Sequence, residues 1–125
     1  MERVPTTPVL NWIGSLDRCE KTAVMSTKRR CISALKRSLG TWSDRTKNKQ
    51  LRERYGDELS EAVYLLLRNK AGHNNREAFE LYYDLLKSIA YGFHCSEDYL
   101  ASARMLSEQM QPESTLVQLF SHMRR

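Results

Sequence analysis

Six side chains in this chain could serve as nucleophiles, acid–base groups or soft metal ligands: Cys19, Cys31, Cys95, His73, His94 and His122. A zinc site asks for ligands paired two to four residues apart, because one turn must bring two of them to the same tetrahedron. Here successive cysteines stand 12 and 64 residues apart, and His94 and Cys95 are adjacent, so they diverge in any regular element. Thiol catalysis would need Cys95 to meet His73 or His122, and no local feature marks an activated thiol. Helix-face carboxylates such as Glu77 and Glu80 serve solubility more often than proton transfer. No Gly-rich phosphate loop is present. These residues predict no enzyme, no metal site and no cofactor.

Cationic chemistry is dense. The 125 residues carry 20 Lys and Arg against 15 Asp and Glu, a net charge of +5. Residues 1–54 hold 13 basic and 5 acidic side chains, whereas residues 55–125 hold 7 and 10. Between positions 28 and 54, ten basic residues face only Asp44 and Glu53. Such asymmetry predicts an anionic partner for one half, one half docking on the other's opposite sign, or simply a solvated basic face. Arg29, Arg30, Lys36 and Arg37 share the side of a helix opposite an apolar arc of Cys31, Ile32, Leu35 and Leu39. Arg45, Lys47, Lys49, Arg52 and Arg54 follow after a short expected loop. Trp42 falls in that loop, where an indole could stack on an unpaired base. Phosphate neutralisation needs no more than this density of charge. No helix-turn-helix or RNA-binding signature accompanies it, so the binding expected is independent of base sequence. Lys28-Arg29-Arg30 is a weak nuclear-import address.

The elements that must position these residues read as helices. Strand alternation and hairpin dipeptides are nearly absent. Thr7-Pro8 reads as an N-cap and first helical residue, with Val9, Leu10, Ile13 and Leu16 on one face and Gly14 as a weak point. Ser26 or Thr27 opens a second helix that Gly40 should end at Leu39. Ser43 or Asp44 opens a long third helix, stopped by Gly72, whose stripe runs Leu51, Tyr55, Leu59, Ala62, Val63, Leu66. Asn74 or Asn75 caps a fourth, ending near Tyr91 with Gly92 beyond it. That helix has two apolar stripes, one through Leu81, Leu85 and Ile89 and the other through Phe79, Tyr83 and Leu86. Ser96 starts a fifth with Leu106 and Met110 facing inward, and Glu113–Met123 offers a last short one. The fold expected is all-α: a compact bundle of five or six helices, mostly antiparallel, with short loops.

Composition supports one domain over 1–125, with residues 1–7 as a disordered lead. Apolar residues make up 41% of the chain, enough for a core. The longest apolar run, Ala62 to Leu67, is too short to span a bilayer. An odd cysteine count with no framework spacing predicts free thiols in a reducing, cytoplasmic or nuclear compartment. The leading functional expectation is a non-enzymatic regulatory or adaptor protein working by contact, with Phe79, Tyr83 and Leu86 against a protein partner or a second copy, or else beneath another helix of the same chain. The alternative is a nucleic-acid-binding protein that uses the basic surface over 28–54.

Overall fold

The computed structural model describes residues 5–95 and 97–110. The helix expected over 113–123, and the cap expected at Ser96, lie outside them. Five helices carry the described chain: α1 (Thr7–Glu20), α2 (Met25–Arg45), α3 (Lys49–Gly72), α4 (Arg76–Phe93) and α5 (Asp98–Gln109). Among the described residues there is no strand, and no helix is long and apolar enough to cross a membrane.

The centre of the bundle is α4, which packs on α2, α3 and α5. Its sequence explains the position. The two stripes leave Phe79, Tyr82, Leu85, Leu86, Ile89 and Phe93 all at 0–1% exposure, and a helix apolar on most sides must be enclosed. Leu59, Val63 and Leu67 of α3 face it, fully buried. Leu66, Leu81 and Leu106 pack at the edge of this core and are partly buried.

Paired residues fix the directions. Arg29 meets Glu77 and Lys36 meets Asp84, so α2 and α4 run parallel. Thr6 meets Glu58 and Glu20 meets Lys70, so α1 runs parallel to α3. The chain neighbours α3 and α4 form the helical hairpin expected at Gly72–Asn75. The Asn75 side chain caps α4 by accepting from the Ala78 amide at 3.2 Å, and Asn48 caps α3 through the Leu51 amide at 3.0 Å.

Several boundaries differ from expectation. The third helix does not open at Ser43 or Asp44, which lie within α2, but at Lys49 behind the Asn48 cap, and α2 starts at Met25, ahead of Ser26 and Thr27. Gly40 does not end α2, which continues to Arg45. Its apolar face continues through Trp42 and Ser43, so packing outweighs the roughly 1 kcal/mol cost of an interior glycine. Gly72 and Gly92 also stay helical, and Asn74 and His94 take the left-handed conformation instead, with φ of 50° and 51°. Asn and His are among the non-glycine residues that adopt that region most often. Finally, residues 5–7 are not a disordered lead. The Thr6 amide and hydroxyl both donate to Glu58, at 3.2 and 3.1 Å, and pin the start of α1 to α3.

Cys19 of α1 and Cys31 of α2 form a disulfide with their Cα atoms 5.7 Å apart, so they are not the expected free thiols. The cysteine argument for a reducing compartment falls with them. Cys95 is free.

Candidate anion-binding face of helix α2

Ten positions carried the basic-surface expectation, and the fold sorts them into groups with different roles. Because α2 lies alongside α4, its basic residues are not all on a free side. Arg29 is engaged by Glu77, and Lys36 by Asp84, across the α2–α4 seam. Exposed pairs of this kind contribute about 0–1 kcal/mol each, but they occupy the charge.

Arg52 is structural. Its Nε and Nη2 donate to the Thr46 carbonyl at 3.1 and 2.7 Å, closing the turn between α2 and α3. Arg54 pairs with Glu58 one turn on, at 3.2 Å.

Trp42 is corrected in its placement. It lies inside α2, not in a loop, and packs against Tyr55 and Phe93 with ring centroids 5.0 and 5.3 Å away. The indole is partly buried against its own core, and it also lines a depression on the outside of α2.

What remains is a row on the solvent side of α2. Arg30, Arg37 and Arg45 are exposed. Their spacing of seven and eight residues puts them within about 80° of one another at 100° per residue, and roughly 10–12 Å apart along the axis. Among the described residues none of the three is in an ion pair. Small side chains lie between them. Ser33 shares an open depression of about 610 Å³ with Arg30 and Arg37. Ala34, Ser38 and Thr41 line a second of about 540 Å³, which runs on from Arg37 to Arg45. Asp44 is the one acidic residue of α2. Lys47 and Lys49, both exposed, extend the row around the turn into α3.

The second candidate surface is absent from the outside of the protein. Phe79 and Leu86 are each 1% exposed, in the core of the same chain. Phe79 and half-buried Tyr83 lie beneath α5, where Tyr83 accepts a hydrogen bond from Arg104 Nε at 3.2 Å. The double stripe of α4 reflects a central helix, not an interface.

A polar centre that the sequence reading missed joins four helices. Glu20 of α1 takes Lys70 of α3, the Tyr82 hydroxyl of α4, and Lys28 of α2 at 3.8 Å. Burial by itself would raise the Glu20 carboxyl, but Lys70, Tyr82 and Lys28 outweigh it and hold the group below its usual value. Burial, with Glu20 beside it, pushes the Tyr82 phenol well above its usual value. Tyr82 therefore stays protonated and donates. Lys28 counted in sequence among the basic cluster, yet it is 8% exposed and spent here. No separation in sequence marks this centre, since its members lie 8 to 62 residues apart.

At Cys95 the thiol is pushed up by burial, with the Ser60 contact opposing, so it is not an activated nucleophile. No three His, Cys, Asp or Glu gather into a metal-sized group among the described residues. His122 lies outside them.

No protein-family model, curated protein or solved structure matches this chain.

Proposed function

We propose that this is a non-enzymatic binding protein whose working surface is the outer face of α2, and that this face takes the phosphate backbone of a nucleic acid without reading its bases. One observation carries the reading. Arg30, Arg37 and Arg45 stand in a row, exposed, with none of them in an ion pair among the described residues. Arginine's planar fork suits phosphate oxygens. The small side chains between the arginines allow a backbone to come close, and the hydroxyls of Ser33 and Ser38 are further donors of the kind that contact phosphates. The adaptor reading through Phe79, Tyr83 and Leu86 loses its surface, because Phe79 and Leu86 are core. Contact with an acidic protein through the same arginines is the rival the experiment must separate.

Fluorescence anisotropy with labelled single- and double-stranded oligonucleotides of unrelated sequence, across a salt series, tests the proposal. Wild type should bind all of them, weakening steeply with salt. Arg30→Glu, Arg37→Glu and Arg45→Glu combined should remove binding on every sequence alike. Each single arginine lost should flatten the log–log salt slope on duplex DNA by about 0.9. The fold should survive, since none of the three holds another element. Swapping Arg29 and Lys36 is a poor test, because it would set like charges against Glu77 and Asp84. Wild-type protein that binds neither strand form at low salt would overturn the reading and leave an acidic protein as the partner to seek.

A further inference from the structure

Ser33, in the middle of α2, has a cation at every neighbouring position of its helix face: Arg29 and Arg30 one turn before it, Lys36 and Arg37 one turn after. At 100° per residue, Arg30 and Arg37 fall about 40–60° to one side of Ser33, and Arg29 and Lys36 about 40–60° to the other. All five line one open depression of about 610 Å³. The two flanks differ. Glu77 and Asp84 of α4 engage Arg29 and Lys36, whereas Arg30 and Arg37 are in no ion pair among the described residues. Two unbalanced cations thus flank one small residue.

Residues three and four apart on a helix have Cβ atoms roughly 5–6 Å from each other, so the guanidiniums of Arg30 and Arg37 both reach a group seated over Ser33. Ser33 is exposed, and its hydroxyl makes no hydrogen bond among the described residues. It is free to donate, unlike the hydroxyls of Thr41 and Ser88, which turn back onto carbonyls of their own helices. Between Arg37 and Arg45 the corresponding position is poorer. Thr41 lies four residues from both arginines, but its hydroxyl is taken by the Arg37 carbonyl at 3.4 Å, and Asp44 follows three residues on.

The ligand follows from charges and oxygens. A phosphodiester within a strand carries a single charge and a pair of free oxygens, which one guanidinium satisfies. A phosphate monoester carries about −1.5 to −2 near neutrality and three acceptor oxygens, which matches two guanidiniums. The geometry points to the depression over Ser33 as a site for the terminal phosphomonoester of a nucleic-acid strand, held by Arg30 and Arg37 with the Ser33 hydroxyl donating. This assignment rests on the phosphate-backbone reading and adds strand ends to it. A strand fits better than free phosphate because exposed Arg45, Lys47 and Lys49 continue the row for the phosphates that follow.

Fluorescence anisotropy at low salt tests the site, on short single strands labelled at one end and carrying either a phosphate or a hydroxyl at the other. Wild type should bind the phosphorylated strand about tenfold tighter, as one further charge-assisted pair would give. Arg30→Gln and Arg37→Gln should each remove that ratio, as should Ser33→Glu, which sets a carboxylate in the site. Arg45→Gln should weaken both strands and keep the ratio. All four positions are exposed, so the fold is retained in each variant. Inorganic phosphate equimolar with the strand should leave the ratio in place; losing it there would make free phosphate the ligand and overturn the strand-end assignment. Equal binding of the two strands by wild type would overturn the site and leave the backbone reading intact. Binding of neither strand would remove both.

Discussion

Glu20, the last residue of α1, accepts a hydrogen bond from the phenol of Tyr82 in the middle of α4. With Lys28 and Lys70 beside them, one carboxylate is shared by residues from three other helices. Removing one member leaves the others part-buried and short of a partner, which costs more than the contact itself contributes.

Acid should therefore act through Glu20. Its folded carboxyl lies below the ordinary value of 4.5, so its stabilisation is complete above the unfolded value and is lost as pH falls through the lower, folded one. Glu20→Gln should cost about 1–3 kcal/mol near neutrality, with the difference from wild type shrinking below pH 4.5. Tyr82 acts at the other end. Its folded value is raised, so its contribution is full below the ordinary value of 10.0 and fades as pH rises beyond it. Urea midpoints of wild type, Glu20→Gln and Tyr82→Phe across pH check both limbs.

Trp42→Ala should lower stability by about 3 kcal/mol, since the indole fills the space between Tyr55 and Phe93. A base-stacking tryptophan would instead lose affinity for single strands at unchanged melting temperature. Thermal unfolding and anisotropy on the same variant separate the two.

Gly56 of α3 lies against Phe93, the last residue of α4, and against Cys95 just beyond it. A Cβ there would lie 2.6 Å from the Cys95 Cβ and 2.8 Å from its Sγ. Gly56→Ala should destabilise by about 1–3 kcal/mol through overpacking, despite alanine's better helix propensity. Cys95→Gly in the same chain should recover part of the loss, as read by urea midpoints.

Thiol titration of the denatured, unreduced protein should find one group, Cys95, and three after reduction. Breaking the bond between Cys19 and Cys31, 12 residues apart, should cost about 3 kcal/mol on the chain-entropy account. The melting temperature of Cys31→Ser beside that of the reduced wild type checks this. Three free thiols before reduction would show the pair unbonded.

Periodicity alone determined that the chain is helical and that α4 is its most apolar element, because a 3.6-residue repeat records which side of a helix is hidden. Local signals also narrowed the α4 cap to Asn74 or Asn75 and marked the α3–α4 hairpin, and the structure selects Asn75. Glycine was local too, and misleading: Gly40 reads as a stop, but burial beyond it holds α2 together as far as Arg45. The tertiary structure decided what each charge was for. Arg29, Arg30, Lys36 and Arg37 look alike as residues on one helix face. Whether each meets Glu77, Asp84 or water depends on which flank α4 covers, and no spacing within α2 encodes that. Lys28, Glu20, Lys70 and Tyr82 meet for the same reason, as do Cys19 and Cys31. Long-range pairing is a property of how helices pack, and a single helix's pattern shows that a face is covered without showing by what.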